Sequence, residues 1–264
     1  MTLELSQLII LIVSAFITSA ISAVLGMGGG IILLGIMAII IPEGYMVIAL
    51  HGMIQLFSNT TRTLIFRNHI KKNIIKDFSL GALIGACVSG VIVFLLVQFY
   101  DVDSARDIRV DFLKPIIGVF IIWYLFLKGP KKEKSNVSFI KVGSISGLSS
   151  IFVGATGPLI APFFLNNNLN KENIIANKAA SQMITHLTKI PLFMYFFQVN
   201  YIGEYKVLLP LIIAVYIGTN LGKKILSFIP EEIFKFLFKS ALTVIAIKLI
   251  IEQFFLIWKY YLNL

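Results

Sequence analysis

Cysteine is nearly absent from the sequence: Cys87, set within an apolar run, is the only one, so the chain has no internal disulfide and no cysteine-rich metal site. Charge is scarce as well, at 14% of residues, and no polar stretch is long enough to fold as a separate soluble domain. The opening "MTLELSQ" lacks the basic n-region of a cleaved signal peptide, which implies that the first apolar run is retained. Glu43, Asp77 and Glu204 stand at the edges of apolar segments, while Glu252 follows Lys248 by one helical turn and can pair with it.

What fills the chain is hydrocarbon. Hydrophobic residues make up 58% of it and the mean hydropathy is +0.90, so the expected fold is an all-α polytopic membrane protein, multi-pass in the cell (inner) membrane. Ten apolar segments run from Leu5 to Leu25, Ile31 to Ile41, Tyr45 to Phe66, Phe78 to Phe99, Phe112 to Leu127, Val142 to Val153, Leu159 to Leu165, Ile174 to Phe197, Val207 to Gly222 and Ile233 to Ile257. Ile31–Ile41, Val142–Val153 and Leu159–Leu165 are too short to cross a bilayer alone. The formal charge of +10 fits lysines and arginines at cytoplasmic helix ends, and nucleic acid is not an expected partner.

The chain divides into two internal repeats, residues 1–127 and 142–264, joined by a basic cytoplasmic linker over 128–141. "GMGGGII" (Gly26 to Ile32) lies over "GATGPLI" (Gly154 to Ile160) at a shift of roughly 128 residues, the scale of half a duplicated transporter. With slight drift Met53 and Ile54 meet Met183 and Ile184, Phe66 meets Phe196, and Ile84 and Gly85 meet Ile217 and Gly218. "RNHIKKNIIK" and "KGPKKEK" are basic and expected inside, whereas "YDVDSARDIRVD" is acidic and expected outside. Lys223, Lys224, Lys235 and Lys239 around "SFIPEE" place that turn inside too, with "QVNYIGEYK" outside. Both assignments hold only if each repeat has a re-entrant hairpin plus three full spans in opposite topologies. The alternative is a parallel arrangement of eight spans, which leaves Lys223 and Lys224 outside.

Glycines in an apolar helix often serve close packing, and Gly81, Gly85 and Ser89, or Ala214, Gly218 and Gly222, have the four-residue spacing for it. "GMGGG" is different, because adjacent glycines spread around the helix, and Pro158 and Pro162 beside the second site also disfavour a continuous helix. Breaks at membrane depth are tolerated where protein buries them or a polar cavity receives them. Helices restarting near Gly30 and Leu159 turn free N–H groups and a positive dipole end toward that space, which suits an anion. Polar stripes follow both breaks: His51, Gln55, Asn59 and Arg62 at intervals of four, four and three, then Lys178, Gln182, His186 and Lys189 at the same intervals, with Thr185 beside them and Pro191 beyond. Arg62 and Lys178 stand near helix ends, where snorkelling competes with a role in binding, whereas His186 and Lys189 are deeper. Neither stripe holds a carboxylate, which disfavours cations as the main cargo.

The paired "GMGGG" and "GATGP" breaks, "HLTK" from His186 to Lys189, "GALIGACVSG", "AVYIGTNLGKK" and the two-half organisation resemble the TauE/SafE sulfite exporter family, also called the toluenesulfonate uptake permeases. The resemblance implies transport of sulfur-containing anions such as sulfite, thiosulfate, sulfoacetate or other organosulfonates, and leaves the direction open. The proline often found shortly after the family's first glycine motif is missing, since Leu33 and Leu34 stand there. The expected function is therefore a secondary transporter working by alternating access at a midplane site. Gly28, Gly29, Gly30 and Ile31, with Gly157 to Leu159, offer backbone amides; His186, Lys189 and Arg62 add charge; Gln55, Asn59, Gln182 and Thr185 add hydrogen bonds. A proton or sodium ion is the candidate coupling partner, with His186 as the proton carrier, and no cofactor or metal is expected. Two alternatives are a non-transporting membrane scaffold and a membrane-embedded enzyme using His51 and His186, the latter without a paired acid, nucleophile motif or metal-ligand cluster.

Overall fold

In a computed structural model the described residues are 3–105, 138–165 and 169–261, with Val119, Ile122, Trp123 and Phe126 between them; for Leu249 and residues 252–261 the description is of the backbone. The Phe112–Leu127 segment lies mostly outside the described residues. So do the linker through Asn136 with its 127/128 boundary, the loop beyond Ala105, and the Glu252 side chain expected to pair with Lys248. The described residues form nine α-helices and no strand. They are α1 (Leu5–Leu25), α2 (Gly29–Ile40), α3 (Gly44–Ile65), α4 (Lys72–Phe99), α5 (Phe139–Val153), α6 (Gly157–Leu165), α7 (Lys171–Phe196), α8 (Tyr205–Leu226) and α9 (Glu231–Tyr261), with a 3-10 turn at Arg67–His69. Each lies on one predicted apolar segment; several begin earlier than expected, α2 at Gly29, α4 at Lys72, α5 at Phe139, α6 at Gly157 and α7 at Lys171. Pro191 lies inside α7, which continues through it to Phe196.

α1, α4 and α8 are long and apolar enough to cross a membrane. Their outer faces are apolar and exposed, for example Ile9, Val13 and Ile17 on α1, Leu83, Val91 and Leu95 on α4, and Leu209, Ile213 and Ile217 on α8, as lipid contact requires. α3 and α7 are as long but carry the polar stripes, and they pack against each other at the centre.

The extensive contacts around this pair join the two halves of the sequence: α4 packs on α5, and α1 on α8. Small residues make both contacts possible. A Cβ on Gly81 or Gly85 would overlap the Ile140 or Ser144 carbonyl, and one on Gly143 or Gly147 the Phe78 or Ala82 carbonyl. Gly218 and Gly222 press in the same way on the Phe16 and Ala20 carbonyls. Backbones approach this closely only where no side chain intervenes, the use that small residues four apart have between membrane helices.

Two apolar cores sit at opposite ends of the bundle. One gathers Phe66, Phe78, Phe139, Ile174, Leu226 and Phe234, all near the 66–71 and 226–231 turns, and includes Ile160 and Phe164 of α6. These two turns flank the α7 N-terminus: the Asn173 amide donates to the His69 carbonyl at 2.8 Å, and the Lys171 N–H donates to Glu231 Oε2 at 3.0 Å. The other core holds Leu11, Val47, Val93, Phe193, Val199 and Leu208, with Leu33 and Met37 of α2. There the Ser104 hydroxyl donates to the Phe196 carbonyl at 3.1 Å, tying the end of α4 to the end of α7.

Gly85→Leu should separate α4 from α5 and lower the unfolding free energy of the detergent-solubilised protein by about 2 kcal/mol or more, read as a drop in thermal midpoint. Gly44→Ala, where a Cβ meets open space, should leave the midpoint unchanged.

Candidate anion site

The glycine run has a separate task at each position. Gly26 and Gly28 adopt φ of 70° and 94°, in the left-handed region where a side chain is strained, and Gly154 does the same at 75° at the end of α5. Gly29 lies so near α1 that a Cβ would overlap the Thr18 carbonyl, so α2 folds back along the helix it follows. At Gly30 a Cβ would stand 3.3 Å from the Gln55 amide, and at Gly157 2.6 Å from Gln182 Nε2. Each restarted helix thus begins beneath a glutamine from the central pair.

Helix starts leave N–H groups without intrahelical acceptors. In α2 the first helical bond runs from Ile32 N to the Gly28 carbonyl at 3.2 Å, ahead of which stand the N–H groups of Gly29, Gly30 and Ile31, uncapped by any side chain. In α6 the corresponding bond joins Ile160 N to the Thr156 carbonyl at 3.2 Å, ahead of which stand the N–H groups of Gly157 and Leu159. Pro158 supplies none. Both starts line one buried cavity of about 20 Å³, whose walls include Gly28, Gly30, Ile31, His51, Gln55 and Arg62 from the first half and Gly157, Lys178, Gln182 and His186 from the second.

Three cations are buried here, and none has an acidic partner among the described residues. Arg62 is 2% exposed; it donates to the Ser22 carbonyl (3.1 Å), to Asn59 Oδ1 (2.7 Å) and to the Ser58 carbonyl (3.5 Å). Lys178, 1% exposed, donates to the Gly26 carbonyl at 2.8 Å and to Gln182 Oε1 at 2.9 Å. Lys189, 0% exposed, donates to the Gly154 carbonyl at 3.2 Å and lies 5.5 Å from the centre of the Phe193 ring. The Ser22, Gly26 and Gly154 carbonyls belong to the C-terminal ends of α1 and α5, the negative ends of those dipoles. C-terminal ends therefore hold the cations, and the N-terminal ends of α2 and α6 stay open.

Arg62 and Lys178 do not snorkel; both face the cavity, and so does His51, the first member of its stripe. His51 Nε2 donates to the Gly30 carbonyl at 2.7 Å, and the His51 and His186 rings meet edge to face at 6.4 Å. Their Nδ1 atoms are buried without a hydrogen bond. Four expected residues stand behind the wall. Asn59 orients Arg62, Thr185 pairs with the Ser146 hydroxyl at 3.0 Å, Gly29 seals α2 to α1, and the Leu159 side chain joins an apolar core. Lys189 also lies off the cavity. Ser22, Met27 and Ala155 line it although they belong to neither stripe; Ser22 is a small residue on an apolar helix, and only its nearness to Arg62 marks it.

Helices broken at matched glycine turns around a buried, cation-lined cavity define a polytopic membrane transport protein. The sequence model for the sulfite exporter TauE/SafE family matches residues 11–249, and the chain belongs to that family. Membership makes it a membrane transporter of sulfur anions such as sulfite. No curated protein and no solved structure matches the chain.

Lys178→Met should leave the Gly26 carbonyl without its donor and cost about 1–3 kcal/mol of stability, with faster amide hydrogen exchange over Gly26–Gly30 as the local signature.

Proposed function

We propose that the protein is a secondary transporter that holds one small sulfur oxyanion or sulfonate, among them sulfite, thiosulfate and sulfoacetate, in the central cavity. The observation that carries this is the meeting of the α2 and α6 N-termini with Arg62 and Lys178 in a space whose described lining has no carboxylate. Free backbone N–H groups and guanidinium and ammonium donors all stabilise negative charge, and the glutamine amides of Gln55 and Gln182 can complete the shell.

The cavity has room for one or two waters. An oxyanion therefore enters only when the walls part, and alternating access supplies that motion. Two repeats of opposite topology are supported by the packing. The α4–α5 contact has its counterpart in α8–α1, and α4–α7 in α8–α3. The 66–71 and 226–231 turns share one end of the bundle, as an inverted arrangement requires of two basic turns on the cytoplasmic side. Because α1 belongs with α8 and α4 with α5, the moving bodies are mixed from both halves. α2 sits in one apolar core and α6 in the other, so each core closes one end of the path.

Uptake of sulfite, thiosulfate, sulfoacetate, taurine, sulfate and chloride into proteoliposomes tests the function. Sulfur oxyanions or sulfonates should move and chloride should not. Arg62→Ala and Lys178→Ala should each cut the flux tenfold or more, the equivalent of one charge-assisted hydrogen bond. Absence of flux for every anion would sink the proposal. Single cysteines in the 227–232 turn should be labelled from the cytoplasmic side, and labelling from outside would exclude the inverted topology.

A further inference from the structure

Gly30 lies under Gln55 as Gly157 lies under Gln182, which sets the register between α3 and α7 three residues away from the one in which Met53 meets Met183; on it the two stripes, with the same spacing of four, four and three, pair His51 with Lys178, Gln55 with Gln182, Asn59 with His186, and Arg62 with Lys189. The two helices run in opposite directions, since α3 ends and α7 begins at the end of the bundle that holds the 66–71 turn. The cavity does not treat the pairs alike. Both members of the first two pairs line it. Of the last two pairs only Arg62 and His186 do so, while Asn59 and Lys189 are wholly buried beside it.

The buried pair is engaged elsewhere. Lys189 is held by the Gly154 carbonyl and lies against Gly52, where an added Cβ would stand 2.8 Å from its Cε. Asn59 donates its amide to the Gln55 carbonyl at 2.8 Å and accepts from Arg62. In a protein made of two inverted repeats, exchanging the conformations of the repeats generates a second state that opens on the opposite side. Applied to these pairs, the exchange brings Lys189 and Asn59 into the cavity and withdraws Arg62 and His186.

We propose that Lys189 and Asn59 form a second anion subsite, occupied when the transporter opens toward the side opposite to that served by Arg62 and His186. This rests on the inverted-repeat transport reading above. The anion passes between a guanidinium and an ammonium while Gln55, Gln182 and the two helix N-termini stay with it. Lys189 meanwhile rests on the Gly154 carbonyl. The ligand class is the same, a sulfur oxyanion or sulfonate met in each state by Lys178 and by one of the two alternating cations.

Single-cysteine labelling in a Cys87→Ser background tests it, using a charged, membrane-impermeant thiosulfonate reagent from either side of oriented proteoliposomes. Arg62→Cys and His186→Cys should react at least tenfold faster from one side, and Asn59→Cys and Lys189→Cys at least tenfold faster from the other. Millimolar sulfoacetate, which unlike sulfite does not react with the thiosulfonate, should slow all four. Depth alone predicts the opposite for neighbours: Asn59 and Arg62 are one turn apart on α3, as are His186 and Lys189 on α7, so each couple would react from a shared side. Reaction of Asn59→Cys and Arg62→Cys from the same side, or no reaction of Asn59→Cys and Lys189→Cys from either, overturns the second subsite. If Lys189→Cys fails to elute as a single species in detergent, Asn59→Cys decides alone. Sulfite and thiosulfate flux through the Cys87→Ser parent is measured in the same vesicles, so loss of the transport reading shows as no flux, separately from the labelling pattern.

Discussion

Three buried cations with no acidic partner among the described residues are the constraint around which the centre is built. An ammonium or guanidinium inside a bilayer costs on the order of 3 kcal/mol or more unless something answers it. Here the answer comes from backbone carbonyls, and carbonyls free to accept occur where a helix ends. Breaking α1 at Gly26 and α5 at Gly154 supplies them at depth, within 2.8 Å of Lys178 and 3.2 Å of Lys189. The same breaks produce the N-termini of α2 and α6, so one interruption of the chain yields both a holder for the cation and the open backbone donors proposed to receive the anion. A carboxylate would hold the cation as well, but its charge would cancel the field that the cargo needs.

Much of this centre is legible in the amino-acid sequence. The positions of nine of the ten apolar segments can be read, though not their limits, because lipid permits few deviations from helix, and the breaks can be read because a run of glycines spreads around a helix instead of forming a stripe. The stripes stand out for a similar reason: polar side chains at helical spacing are costly in a span and so mark an interior face. Which members of a stripe face the cavity is not legible. Arg62 and Lys189 occupy corresponding positions, yet one lines the space and the other does not. That difference depends on how α3 and α7 cross and on the carbonyl each cation reaches, neither of which is encoded in spacing. Ser22 stays hidden because its contribution is a backbone oxygen, available from any residue type.

Separating the charged layer from two apolar ends has a mechanical side. Apolar side chains close each end, so the cost of parting either is set mainly by apolar area and packing, with Lys189 of the second stripe 5.5 Å from the Phe193 ring of one core. The central pair α3–α7 reaches into both ends through Ile65, Val47, Ile174 and Phe193.

The parallel glycine contacts between α1 and α8 bear on how the molecule is made. α1 is made before α8, and the helix that covers its Phe16 to Ala23 face follows about two hundred residues later, by which time a ribosome has spent on the order of ten seconds or more at typical elongation rates. Until then its carbonyl ridge at Phe16 and Ala20 meets lipid or a passing neighbour. α8 therefore packs beside a helix that has been waiting for it, and the first half cannot reach its native packing alone.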